Sequence, residues 1–227
     1  MLKIEKFVTL SPEQWEIIIE GARNPMNSWD RMDSYVIKNE YETDILEPEY
    51  FVGENDMKLL ENLAEGGPVH AKYRRMMPVW VTLTAPLYWW KEYDTYKIGT
   101  VANSCSTMHK IHAKEFTMED FSTDRLLDHA DESFSSRDLM ALVIDKLNVN
   151  RRLFLAEDEP LVKKYYWWQM IQLLPTSYNQ KRTVMLNYEV LVGIYRDRRN
   201  HKLDEWHVFC DWIRELPYSE LITGEDA

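Results

Sequence analysis

The stretch Met77-Pro78-Val79-Trp80-Val81-Thr82-Leu83-Thr84 is the strongest strand signal in the chain, because β-branched and aromatic residues follow one another through it. A strand of this kind needs partners and a face to bury against. Candidates for partners are few. Residues 2–9 have a strand-like composition with imperfect alternation, and residues 34–52, with tyrosine, valine and isoleucine among charges, suit an extended edge. From about residue 117 the pattern is helical almost to the end, with segments expected over 117–130, 136–148, 159–174, 181–199 and 203–215. Only seven glycines punctuate the 227 residues, which favours helices over glycine-rich turns. The fold class is therefore α+β, one domain over residues 1–227, with a small sheet and a helical C-terminal half.

Local signals mark two further helices. Ser11-Pro12-Glu13-Gln14 combines a serine cap, proline in the first turn and a glutamine placed to close a capping box. The helix that follows turns Trp15, Ile18 and Ile19 inward and ends near Asn24-Pro25. A second helix has Asn55-Asp56 as its expected cap, carries Leu59, Leu60 and Leu63 on one face and stops at Gly66-Gly67-Pro68.

Charge restricts the partners. With 27 basic against 38 acidic residues the formal charge is −11, and such a molecule repels duplex nucleic acid unless its cations gather on one face. The clusters Lys72-Tyr73-Arg74-Arg75 and Arg196-Asp197-Arg198-Arg199 are short and separate. A free nucleotide, which needs only a few cations, remains compatible. Two cysteines, Cys105 and Cys210, do not make a secreted disulfide framework. No apolar run approaches the roughly 20 residues of a membrane helix, and Met1-Leu2-Lys3-Ile4-Glu5-Lys6 lacks a positive stretch followed by an apolar one, so no signal peptide is expected. The expectation is a cytoplasmic protein without a membrane partner.

Few motifs carry chemistry. His109 and His112, three apart, read as a surface pair because no third ligand sits at a matching interval, so no metal site is expected. The pairs Trp89-Trp90 and Trp167-Trp168 read as core or subunit contacts. The informative stretch is 85–109, where an apolar helix runs into a polar loop containing Gly99, Thr100, Asn103, Ser104 and Ser106. Small hydroxyl and amide side chains after a glycine are suited to hold an anion, although a solvated loop of the same composition is commoner.

This stretch resembles the signature of the flavin-dependent thymidylate synthases, the ThyX family: Arg-His-Arg, two residues, Ser, one residue, Asn, two residues, Ser, after a helix that often begins Ala-Pro. Ala85-Pro86 matches that beginning, Thr95-Tyr96-Lys97 stands at Arg-His-Arg, Thr100 replaces the first serine, and Asn103 and Ser106 match with one residue inserted. Gly67-Pro68-Val69-His70 resembles the family's segment ending in a histidine near the flavin. Leu174-Pro175-Thr176-Ser177-Tyr178, then Asn187 and Arg198 eleven residues on, resembles its Leu-Pro, Tyr-Thr, Asn and Arg series, and Trp206 falls near its Ala-Gln-Trp-Glu. The pieces are collinear over about 60–215. Glu189 and Gly193 stand where the family has an arginine and a second asparagine, and no arginine closes the signature after Ser106.

The resemblance implies a central antiparallel or mixed sheet flanked by helices, assembled as a homotetramer with sites between subunits. It implies FAD as cofactor, dUMP as substrate, and methylenetetrahydrofolate and NADPH as co-substrates. His70, Lys97, Asn103 and Asn187 would face the flavin. Ser104 and Ser106 would hold the nucleotide phosphate, and Arg198 would contact and activate the pyrimidine. Two alternatives stay open: a non-catalytic nucleotide-binding or structural relative that has lost flavin, and an enzyme of the same scaffold modifying another pyrimidine nucleotide.

Overall fold

A computed structural model describes residues 1–37, 49–128 and 134–224. The chain is α+β with a small antiparallel sheet and many helices, as expected. The strands are β1 (Lys3–Val8), β2 (Tyr35–Ile37), β3 (Glu49–Phe51), β4 (Pro78–Pro86), β5 (Val101–Ser104) and β6 (Asn179–Asn187). The four-stranded sheet has the order β1-β4-β6-β5, and β2 pairs antiparallel with β3 as Val36 opposite Tyr50. The helices are α1 (Pro12–Arg23), α2 (Glu54–Glu65), α3 (Lys72–Arg75), α4 (Leu87–Tyr93), α5 (Thr107–Lys110), α6 (Ser136–Ala156), α7 (Pro160–Leu173), α8 (Tyr188–Arg198), α9 (Asp204–Arg214) and α10 (Glu220–Thr223). Contacts divide the chain into two compact units, one of Met1–Glu5, Thr82–Thr95 and Ala102–Thr183, the other of Lys6–Val81, Tyr96–Val101 and Val184–Ala227.

In the first unit α6 and α7 enclose a core of Ile111, Phe116, Phe121, Met140, Ile144, Leu147 and Met170. The buried Asn148 amide ties the preceding loop to α6, accepting from the Phe116 amide at 2.9 Å and donating to its carbonyl at 2.8 Å. Both polar ends of the side chain are thereby satisfied away from water. Trp89, Trp90 and Tyr93 of α4 are buried together, and the Trp90 indole donates to the Gln180 carbonyl at 2.9 Å.

The second unit is held by aromatic and ionic contacts. Ser11 caps α1 with the expected capping box to Gln14. Trp15 of α1 stacks on Tyr50 and meets Tyr188 and Tyr218 edge-on. Asp56, with no exposed surface, accepts from Arg23 Nε at 2.5 Å and from the Ser34 amide and hydroxyl at 2.9 and 2.6 Å.

Four sequence expectations are corrected here. The cap of α2 is Gly53, not Asn55-Asp56. Asp33 accepts from the Asn55 and Asp56 amides at 2.9 and 3.1 Å, while the Asp56 side chain turns into the core. Glycine is required at 53 because a Cβ there would lie 2.2 Å from the Asp33 carboxyl carbon. Over 117–128 there is only a 3-10 turn at Met118–Asp120, closed by Thr117 and Asp120, after which Phe121 bridges to Tyr178; residues 129–130 of that expected helix lie outside the described residues. Residues 181–187 of the expected 181–199 helix belong to strand β6, whose alternate residues Val184 and Leu186 are fully buried. The loop after Gly99 contains the short strand β5. The extended edge expected over 34–52 is present as β2 and β3, and its residues 38–48 lie outside the described residues.

Removing one partner of a buried ion pair strands the other, at about 3–5 kcal/mol. Asp56→Ala is therefore expected to lower unfolding stability by an amount in that range, read from the urea midpoint. A loss under about 1 kcal/mol, the ordinary contribution of an exposed pair, would contradict this account of the second unit.

Candidate functional site

The candidate site is assembled from α8, α9 and the loop Tyr96–Thr100, all within the second unit. Asn187 ends β6 and caps α8, its side-chain oxygen accepting from the Val190 amide at 3.1 Å. That leaves its amide NH2 as the available donor. Arg198, near the C-terminus of α8, donates through Nε to the Tyr96 hydroxyl at 2.9 Å. Its guanidinium lies over the Trp206 ring at 4.8 Å and over Tyr96 at 5.6 Å. Trp206 is fully buried at the start of α9, so the arginine rests on a fixed aromatic wall. The arrangement presents a half-buried, oriented cation.

The loop itself is shaped by Gly99. Its φ is +79°, and a Cβ there would approach Val190 Cγ2 at 3.1 Å and the Asn187 amide nitrogen at 3.3 Å. Thr100 closes the turn by donating to the Tyr96 carbonyl at 2.6 Å. Lys97 is exposed, and Ile98 is 93% exposed. The second unit thus brings the Lys97 loop, Asn187 and Arg198 together. His70 is also in this unit, exposed and packed close to Gly66, where it lines a cavity at α1 and α2.

Asn103, Ser104 and Ser106 belong to the first unit. Asn103 and Ser104 are exposed on β5, and the exposed Ser106 caps α5 by accepting from the His109 amide at 3.0 Å. An accepting hydroxyl keeps its own hydrogen to donate. His109 is exposed, as expected of a surface residue, but His112 is half-buried, with its ring 4.5 Å from that of Phe154. Burial pushes its pKa down. Cys210 is buried, and burial pushes its thiol up to about 11, so it is held as the neutral thiol. Among the described residues no group of three or more His, Cys, Asp or Glu is placed to hold a metal, and no helix is long and apolar enough to cross a membrane.

In the sequence Tyr96 stands only at the middle position of the Arg-His-Arg signature. Its hydrogen bond to Arg198 joins residues 102 positions apart and leaves no sequence signal. The cations Arg31 and Lys58 beside the α1–α2 cavity were missed altogether, since they lie in no motif.

Together these features define an α+β chain with a small antiparallel sheet, a glycine-turned donor loop and an arginine seated on tryptophan. The fold is that of the flavin-dependent thymidylate synthases. A structure of thymidylate synthase X from Helicobacter pylori, solved with FAD and dUMP, matches at a TM-score of 0.58 and 13% identity, over 99% of this chain and 97% of that one. A second, of the flavin-dependent thymidylate synthase from the same organism complexed with FAD and dUMP, matches at 0.55 and 12% identity, over 99% and 98%. No family model matches the sequence, and no curated protein matches it.

Gly99→Ala combines a strained φ with a crowded Cβ and is expected to destabilise by about 1–3 kcal/mol. Gly193→Ala, inside α8 with open space around it, is expected to stabilise by up to about 1 kcal/mol. Melting temperatures moving in the same direction for the two variants would refute the account of the loop.

Proposed function

We propose that the protein binds FAD and dUMP and methylates the pyrimidine to dTMP, working as a single domain of the flavin-dependent thymidylate synthase type. Methylenetetrahydrofolate would donate the carbon and leave as tetrahydrofolate, and NADPH would supply the hydride and leave as NADP. What carries the proposal is the fold match over nearly the whole chain combined with Arg198 held in orientation by Tyr96.

The donors present suit a flavin. Within the second unit Lys97 and the amide of Asn187 offer hydrogens to a ring whose edge carries acceptors, with His70 as a further contact, and the exposed Ile98 and Val101 offer apolar surface to its face. A bound flavin would supply the hydride and one-carbon transfer chemistry. The chain's own part is positioning and charge placement. Ser104 and Ser106 would donate to the nucleotide phosphate. Arg198, held by Tyr96 and Trp206, would meet the pyrimidine and stabilise negative charge that develops on it during attack.

One observation favours a second reading, a nucleotide-binding relative without flavin. Thr95-Tyr96-Lys97 offers one cation where the family signature has two arginines, and a lysine lacks the planar bidentate fork. Absorbance near about 450 nm in the purified protein, general to oxidised flavin, separates the readings. Under the enzymatic reading Lys97→Ala weakens flavin retention by about 1.5–3 kcal/mol, the contribution of one charge-assisted hydrogen bond. A protein that neither purifies with flavin nor takes it up in titration leaves the second reading standing.

For the nucleotide, dUMP is expected to raise the melting temperature, as a ligand of the folded state must. Ser106→Ala and Arg198→Ala each reduce that rise without unfolding the chain, and thymidine, lacking a phosphate, gives a far smaller one. Equal responses to phosphorylated and unphosphorylated nucleosides would reduce the donor loop to a solvated connection.

A homotetramer is part of the same proposal. Leu161, Tyr165 and Trp168, spaced to share one face of α7, are 76, 61 and 42% exposed, and Leu139 and Leu142 of α6 are exposed as well. Apolar stripes of this extent mark association surfaces. Light scattering at micromolar concentration is expected to give about four chains, and Tyr165→Glu with Trp168→Glu to reduce that number. A clean wild-type monomer would rule the assembly out.

A further inference from the structure

Within the second unit the start of α1, strand β3 and the turn Pro217-Tyr218 enclose a cavity of about 400 Å³, a volume in the range of small-molecule sites. Its walls are aromatic. The Trp15 and Tyr50 rings lie within 8° of parallel at 6.3 Å, and the Tyr218 ring meets Trp15 edge-on at 5.1 Å. Pro12 and Pro217 extend the apolar lining. Trp15 and Tyr50 are buried, Pro12 and Tyr218 half-buried, and Glu49 exposed. Among the described residues Glu49 is the one charged side chain in the lining, and it forms no ion pair there.

The Tyr218 ring is held in place at a cost. Its backbone has φ +52°, a left-handed conformation that a bulky residue keeps only where its surroundings enforce it, and that gathers at ligand clamps. Two hydrogen bonds do the enforcing. The phenol oxygen accepts from the Val52 amide and donates to the Tyr50 carbonyl, each at 2.8 Å. Pro217 is fixed in turn, its carbonyl accepting from the Tyr188 hydroxyl at 2.6 Å.

The charge around these rings is of one sign. Burial first, and then the carboxylates of Asp56 and Glu16, push the Tyr50 phenol up to about 12. Burial again, with Glu220 and Glu49, pushes the Tyr218 phenol up. Aromatic faces are themselves negative, so walls and surroundings favour the same species, a cation. A bare metal ion would exchange its hydration for rings that offer no oxygen cage. A cation sheathed in methyl groups has little hydration to lose and fills apolar walls.

We propose that this cavity binds a small organic cation of the quaternary ammonium class. Trp15, Tyr50 and Tyr218 take the methyl-sheathed charge against their rings, and Glu49 meets it from the solvent side. The site goes beyond the flavin and dUMP reading, because none of His70, Lys97, Asn103, Ser104, Ser106, Asn187 and Arg198 lines it. Its preferred charge is also opposite to that of a phosphate.

The test uses the full chain with choline and tetramethylammonium, followed by isothermal titration and by proton NMR of the N-methyl groups. Both probes bind, and their methyl resonance moves upfield, as shielding by ring faces requires. The neutral isostere of choline, with a tert-butyl group in place of trimethylammonium, binds on the order of tenfold more weakly. Glu49→Lys puts a repelling charge on an exposed position and weakens choline on the order of tenfold or more, while Glu49→Gln weakens it less. Tyr218→Asn suits the left-handed backbone but removes a ring, and it reduces the upfield shift. Saturating FAD or dUMP leaves choline binding in place, as does Arg198→Ala. A chain that takes up neither flavin nor dUMP still reports on the cavity, so the two readings fail separately. Absence of choline binding, equal binding of the neutral isostere, an unshifted methyl resonance or indifference to Glu49→Lys overturns the site. Displacement of choline by FAD or dUMP also overturns it, by merging the cavity with the site already described.

Discussion

The Asp56 carboxylate fixes the geometry on which the second unit depends. It is fully buried, and its oxygens receive the Arg23 guanidinium from α1 together with the amides of Asp33 and Ser34 ahead of β2. The Ser34 hydroxyl donates to the same carboxylate and accepts from the Gly53 amide, so α1, α2 and the approach to β2 meet at one anion. A buried charge is tolerable only when its lone pairs are filled in this way. Met26 and Ser28, which border the α1–α2 cavity, lie on the short turns that the Arg23 pair anchors.

The proposed catalytic side of the same unit follows a different principle. Arg198 is positioned by an aromatic wall and by the phenol of Tyr96. The proposed flavin side, by contrast, would rest on a single cation of the signature segment, Lys97. That asymmetry makes flavin retention the property on which the enzymatic and the binding readings divide.

Much of the fold was legible because its signals are local. The Ser11 to Gln14 capping box, the β-branched run of β4 and the proline-started α7 each specify themselves within a few residues. The errors arose where a distant contact overrode local pattern. Residues 181–187 read as the start of the helix that contains α8, yet pairing in the sheet with Val184 and Leu186 inward makes them part of a strand. Asn55-Asp56 has the composition of a cap, but Asp33, 22 residues before Asn55, takes that role and frees Asp56 for the core.

The sequence by itself determined the α+β class, most helix starts, and the collinear set of residues from His70 to Trp206 that resembles the flavin-dependent thymidylate synthases. It could do so because composition, caps and spacing are properties of neighbours along the chain. Only the tertiary structure decided that Tyr96 holds Arg198, that Gly99 sits against Asn187, and that Arg23, Arg31 and Lys58 border one cavity. Each of those facts joins residues far apart in sequence. Their energies depend on burial and on directed hydrogen bonds, and neither exists until the chain has folded.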